Sequence, residues 1–174
     1  MKPKSKALFL DRDGVINIDN GYTYKIEEFK FCDGIFELLR YAQKLGYKLF
    51  VVTNQSGIAR GYYSEDDFQR LTSWMLKEFE KNSIRIEKVY YCPHLPEDNC
   101  ECRKPNPKMI KDAIDQFGID PKSSWMIGDK LSDIEAAKNA GVENTILISV
   151  QNQKNTLTKY IVQSLYDIMD IIKA

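Results

Sequence analysis

Lys6-Ala7-Leu8-Phe9-Leu10-Asp11-Arg12-Asp13-Gly14 is the stretch that decides the fold: a short apolar run that stops on two aspartates and a glycine. An apolar run of this length, bounded by turn residues, reads as a buried strand. The pattern recurs. Lys48–Thr53 (KLFVVT) is apolar and β-branched and runs into Asn54-Gln55-Ser56-Gly57. Glu87–Tyr91, Ser124–Gly128 and Asn144–Ile148 are the next runs of strand length, the second of them leading into Asp129-Lys130.

Segments of helical period lie between these runs. Gly34–Lys44 places Ile35, Leu38, Leu39 and Ala42 on one face. Ser64 is an N-cap with Asp67 three residues on, followed by Phe68, Leu71, Met75 and Phe79. Asn106-Pro107 supplies a cap and an N1 proline ahead of Ile110, Ala113, Ile114 and Phe117. Leu131–Ala140 stops at Gly141, a helix-ending glycine. After Gln151 the chain is polar, then apolar again through Leu165, Ile168, Ile171 and Ile172, which predicts a closing strand or helix. Strand–helix alternation predicts an α/β fold, a doubly wound, Rossmann-like parallel sheet with helices on both faces. The 174 residues are expected to form a single domain, 1–174.

Composition narrows the function. Lys plus Arg equals Asp plus Glu at 25 each, so the formal net charge is zero and a generally basic nucleic-acid surface is excluded. No run approaches the ~20 apolar residues of a membrane span. Ala7–Leu10 is too short for a signal peptide. The expectation is a cytoplasmic protein that partners neither nucleic acid nor membrane, and a monomer.

The polar residues cluster where the strands end. In a parallel sheet Asp11 and Asp13, Thr53 and Asn54, Arg103 and Lys104, and Asp129 with Asp133 a helical turn later share one edge, where such sheets bind ligands. Clustered carboxylates raise one another's pKa unless a cation neutralises them. Hard oxygen donors of this kind suit Mg²⁺, which keeps coordination positions open for phosphate and water. A lysine and a hydroxyl beside them can hold phosphoryl oxygens, and phosphoryl transfer needs chiefly positioning and charge neutralisation.

A second cluster is separate in character. Cys92-Pro93-His94, then Cys100-Glu101-Cys102, forms a Cys₃His set, a structural zinc combination that fills a tetrahedral shell. Its spacing is tighter than in common zinc fingers; scattered thiols and a disulfide are the alternatives, the latter disfavoured in cytosol. Cys32 stands apart and is expected to be an ordinary buried thiol.

FLDRDGV (9–15), VVTNQSG (51–57), CRKPNPKM (102–109) and IGDKLSDIEAAKNAG (127–141) together resemble the haloacid dehalogenase superfamily of phosphatases, within it the histidinol-phosphatase-like subgroup. The resemblance implies Asp11 as nucleophile, forming an aspartyl-phosphate, and Asp13 as acid and then base. It implies Mg²⁺ on Asp11, the Asp13 carbonyl and Asp129, and Thr53 and Lys104 on the transferring group. By the same resemblance Asp19, Asn20, Gly21 and Tyr22, with Asn54, Gln55 and Ser56, line the substrate pocket, while Arg103 and Lys130 contact a sugar phosphate. Many members carry a cap domain. Here about forty residues separate Asp13 from Thr53 and about fifty separate Thr53 from Lys104, intervals already filled, so a cap is not expected. The implied substrate is a small phosphorylated sugar. Gly57-Ile58-Ala59-Arg60-Gly61 and Asp19–Tyr22 favour it over histidinol phosphate, the alternative. A receiver-type phosphoacceptor domain is the non-enzyme alternative, opposed by Asp13, a leaving-group acid such domains do not need.

Overall fold

The structure, a computed structural model, describes residues 4–150 and 157–173. Strand β1 is Lys6–Leu10, followed by helix α1 (Ile35–Lys44) and β2 (Tyr47–Asn54). Next come α2 (Glu65–Lys81), β3 (Ile86–Cys92), α3 (Lys108–Phe117) and β4 (Trp125–Gly128). Helix α4 (Leu131–Asn139), β5 (Asn144–Ile148), β6 (Tyr160–Val162) and α5 (Leu165–Ile171) complete the order. The six strands form one sheet ordered β3-β2-β1-β4-β5-β6, and every neighbouring pair is parallel.

That order makes the fold doubly wound. The chain steps outward from β1 to β2 and β3, then returns past β1 to β4 and steps the other way. Right-handed crossovers put α1 and α2 on one face and α3 and α4 on the other. The side chains of β1 alternate accordingly. Leu8 and Leu10 join Leu49, Val51, Leu38, Leu39, Met75 and Ile168 in one core, whereas Ala7 and Phe9 join Phe50, Val52, Ile110, Ala113 and Ala137 in the other. Strand order reverses between β1 and β4, and the crevice beyond their carboxyl ends is where such sheets bind ligands.

Local chemistry explains the boundaries. Ser64 Oγ accepts from the Asp67 N–H at 3.0 Å, and Asp67 Oδ2 accepts from the Ser64 N–H at 2.9 Å, closing the expected capping box of α2. Helix α3 begins one residue later than predicted: Pro107 is its cap residue, and Asn106 instead donates from Nδ2 to the Cys100 carbonyl at 2.8 Å. The zinc-type loop thus takes the capping side chain away from the helix. The closing segment contains both a strand and a helix; residues 151–156, where it was expected to begin, lie outside the described residues. Cys32 is half-buried rather than buried and packs against the α1 core. No helix of the described residues is long and apolar enough to cross a membrane.

Candidate active site

The carboxyl end of β1 brings Asp11 to one open crevice of about 440 Å³, and the loop after β3 carries Lys104 into it; Thr53, near the end of β2, and Asp129, just after β4, are not part of its lining. Its lining includes Asp11, Asp13, Lys104 and Asp133 below, and Asp19, Gly21, Tyr22, Ser56, Arg60, Arg103 and Lys130 around them. Among the described residues no second domain covers it.

Lys104 is the hub of the floor. It is 4% exposed, and its ammonium donates to Asp11 Oδ1 at 3.0 Å and to the Val52 carbonyl at 2.7 Å, and pairs with Asp133 Oδ1 at 2.6 Å. Burial alone would lower its pKa, but Asp11 and Asp133 outweigh that and raise it, so the cation is permanent. Asn54 holds the lysine backbone from both sides: its Nδ2 donates to the Lys104 carbonyl at 3.2 Å, and its Oδ1 accepts from the Lys104 N–H at 3.0 Å. Asn54, expected to line the substrate pocket, lines this crevice, and its side-chain amide also seats Lys104.

Three carboxylates converge beside it. Asp11, Asp129 and Asp133 each offer an oxygen within 4.8 Å of the others. Burial first, then the negative charge of Asp133, pushes the pKa of Asp11 well above the ordinary range, and the same two causes raise Asp129. One positive lysine therefore does not neutralise the cluster. Asp129 Oδ1 is buried without a hydrogen-bond partner, as a vacant ligand oxygen would be. This donor set of hard oxygens fits a divalent cation such as Mg²⁺.

Sequence reading placed Asp133 on the ligand-binding edge but gave it no role. It is 1% exposed, and besides meeting Lys104 its Oδ2 accepts from the backbone N–H groups of Asp129 and Lys130 at 3.2 and 3.1 Å. It thus caps α4 and fixes the turn that carries Asp129. The signal was its position four residues after Asp129. Arg12 was missed. It is 2% exposed, and its guanidinium reaches Asp13 Oδ1 at 2.9 Å and the Thr23 carbonyl at 2.8 Å, tying the nucleophile turn to the Asp19–Thr23 loop.

The other expected residues divide. Thr53 is fully buried in the floor. Asp19, Gly21, Tyr22, Gln55, Ser56, Arg103 and Lys130 line the crevice; Asn20 is exposed and does not. Arg60, absent from the expected set, lies over the Tyr22 ring at 5.9 Å, and Tyr22 meets Tyr62 edge-on at 4.8 Å. This is a flat, partly aromatic wall with cationic groups near it.

Gly14 is required by the cluster. Its φ is +91°, and a Cβ there would overlap the Asp129 carboxylate. Gly14→Ala is expected to lose about 1–3 kcal/mol to backbone strain and to displace Asp129. Urea unfolding and divalent-ion titration check this; unchanged stability and unchanged ion affinity would contradict the tight fit.

The Cys/His loop forms the set expected from its residues. Cys92, His94, Cys100 and Cys102 offer ligand atoms all within 4.8 Å of one another. Cys92 Sγ lies 3.4 Å from His94 Nδ1, 3.5 Å from Cys100 Sγ and 2.9 Å from Cys102 Sγ. Ligands of tetrahedral zinc with Zn–S near 2.3 Å stand roughly 3.8 Å apart, so the donor set fits that ion. All four cysteines are free thiols, so the expected alternative of a disulfide is not formed.

With this geometry, a profile described as haloacid dehalogenase-like hydrolase matches residues 5–141. The chain is 53% identical over 170 residues to the D-glycero-alpha-D-manno-heptose-1,7-bisphosphate 7-phosphatase of Campylobacter jejuni, covering 98% of this chain and 97% of that protein. It is 43% identical over 178 residues to the D-glycero-beta-D-manno-heptose-1,7-bisphosphate 7-phosphatase of Pasteurella multocida, covering 97% of each. The crystal structure of D,D-heptose 1,7-bisphosphate phosphatase from B. bronchiseptica, complexed with magnesium and phosphate, superposes with a TM-score of 0.85 at 27% identity, over 95% of this chain and 97% of that one. The chain belongs to the haloacid dehalogenase-like hydrolases. Within that family it is a phosphatase, a phosphoric monoester hydrolase.

Proposed function

We propose that the chain removes the C7 phosphate of D-glycero-D-manno-heptose 1,7-bisphosphate through an aspartyl-phosphate on Asp11. The observation that carries the substrate is the identity to heptose bisphosphatases along nearly the whole chain. The crevice supports it: carboxylates and Lys104 below for one phosphate, and Arg60, Arg103 and Lys130 along the lining for a second. A guanidinium binds phosphate oxygens in pairs, which suits Arg103 to that task.

The chemistry follows from the floor. An Asp11 carboxylate oxygen attacks phosphorus in line, and the bond to the sugar oxygen breaks as Asp13 passes a proton to it. Asp13 then takes a proton from water, whose oxygen attacks the same phosphorus and releases Asp11 and inorganic phosphate. Lys104 and Thr53 face the charge on the transferring group. Asp11, the Asp13 carbonyl and Asp129 would hold Mg²⁺, which would neutralise the carboxylates and phosphoryl oxygens. Cys92, His94, Cys100 and Cys102 would hold a structural Zn²⁺ that keeps Arg103 and Lys104 in place.

In this reading the protein is a cytoplasmic, single-domain monomer, 1–174, that supplies a heptose monophosphate toward nucleotide-activated heptose and lipopolysaccharide precursors. Phosphate release with Mg²⁺ is the test, comparing heptose 1,7-bisphosphate with histidinol phosphate. The bisphosphate is expected to turn over at least tenfold faster by kcat/KM, a difference of about 1.4 kcal/mol. Turnover of histidinol phosphate alone would overturn the substrate assignment.

A further inference from the structure

A chain of hydrogen bonds beside the nucleophile is not used by the reaction above. Asp13 Oδ1 accepts from Arg12 Nη2 at 2.9 Å, Arg12 Nε at 3.3 Å and Asn17 Nδ2 at 2.9 Å. Asp13 Oδ2 accepts from Gln55 Nε2 at 3.1 Å. The same Gln55 nitrogen reaches Thr53 Oγ1 at 2.9 Å, so its two hydrogens are directed at Asp13 and Thr53. The Gln55 oxygen accepts from the Tyr63 hydroxyl.

While Asp13 is ionised, the direction of this chain is forced. Turning the amide over would press its oxygen against the Asp13 carboxylate. Tyr63 must therefore be the donor, and burial, which pushes its pKa up to about 12, keeps its proton on. The ring is held on two sides: it stacks on Tyr24 at 5.3 Å and 14°, and a Cβ on Gly57 would overlap it.

We propose that Tyr63 is a positioning residue, aiming the Asp13 carboxyl and the Thr53 hydroxyl at the transferring phosphoryl group through Gln55. Three N–H donors fill the lone pairs of Asp13 Oδ1, so the proton that passes to the leaving oxygen sits on Oδ2. Thr53 Oγ1, already accepting from Gln55, directs its own proton at the Asn54 carbonyl over a long 3.5 Å, a weak contact it can exchange for a phosphoryl oxygen. Gln55, expected from the resemblance to line the substrate pocket, lines the crevice and also acts through Asp13 and Thr53. This rests on the reading of Asp13 as the leaving-group acid.

The test uses the full-length protein with Mg²⁺ and two substrates: heptose 1,7-bisphosphate, whose alkoxide needs a proton to leave, and p-nitrophenyl phosphate, whose phenolate does not. The rate compared is that of the first turnover, release of the sugar or the phenolate, because the later hydrolysis of the aspartyl-phosphate uses Asp13 as base with both substrates. Tyr63→Phe is expected to lower this rate for the sugar about tenfold or more, part of the ~10²–10⁴ that a positioned acid contributes. The aryl phosphate should fall far less, and the ratio of the two losses is the readout because Thr53 serves both substrates. Gln55→Met should show the same pattern, and adding Tyr63→Phe to it should change nothing further. Equal losses on both substrates, or additive losses in the double variant, would overturn the proposal by making Tyr63 a packing residue. Asp13→Asn separates the two levels of the argument. If its first turnover slows equally with both substrates, the acid assignment fails; if it is selective and Tyr63→Phe is not, only the relay fails. Should Gln55→Met not fold, the Tyr63→Phe substrate ratio still decides.

Discussion

Asp11→Asn should abolish turnover while leaving the fold intact or firmer. The substitution keeps the shape of the side chain but removes the attacking oxygen. Loss of a covalent nucleophile in a hydrolase costs on the order of 10⁶ in kcat. Asp133 does not replace it, being 1% exposed and paired with Lys104, and Asp129 lies in the turn after β4, fixed there by Asp133. Stability should move the other way. The pKa of Asp11 is raised on folding, by burial and then by Asp133, so its ionised form opposes folding at neutral pH. A neutral amide removes that opposition, and Lys104 keeps Asp133 as partner. Phosphate-release assays and metal-free thermal unfolding together check this. The expected result is no detectable turnover at an equal or higher Tm; retained turnover would sink the mechanism, and a large fall in Tm would show that the activity loss is a folding defect.

Loss of the Cys/His loop should have the second largest effect, on stability and activity together. Cys92 is fully buried, ends β3 and packs in the core beside Val52 and Met109. Zinc binding worth ~10–16 kcal/mol in finger peptides is comparable to the ~5–15 kcal/mol stability of a whole domain. The loop leads directly into Arg103 and Lys104, and without it the two carboxylates on Lys104 would lose their partner. Cys92→Ser, or prolonged chelation, is expected to remove one zinc per chain by elemental analysis, lower Tm markedly and abolish turnover. A freshly purified protein with no zinc and full activity would contradict the structural role proposed for zinc.

The sheet was legible because each strand is a short apolar run ended by a polar cluster. In a parallel sheet those ends share an edge, so Asp11, Thr53, Lys104 and Asp129 could be assembled from order alone. What sequence could not convey is which polar atoms face inward. The resemblance implies Asn54 and Gln55 as pocket residues, and both line the crevice, but it does not show that their amides also hold Lys104, Asp13 and Thr53. Arg12 sits between two aspartates and reads as a turn residue, although its side chain returns to Thr23. Asp133 lies within the first turn of a helix, where a carboxylate has an ordinary capping role, and only the juxtaposition of β1 and β4 brings it to Lys104. Tyr63 is eight residues from Gln55 in the chain, and nothing in that spacing shows that the loop folds back to place its hydroxyl on that side chain.

The central claim is that phosphate leaves the substrate by way of Asp11. With p-nitrophenyl phosphate, whose phenolate leaves without an acid, Asp13→Asn should slow release of the intermediate more than its formation, since the water that resolves it loses its base. Protein of this variant is mixed with p-nitrophenyl phosphate and Mg²⁺, quenched in acid, where acyl phosphates survive, and digested with pepsin for mass spectrometry. The account predicts one added phosphoryl group on the peptide that contains Asp11, lost on treatment with base. Release of phosphate with no phosphorylated peptide, or with the group on another residue, would contradict it.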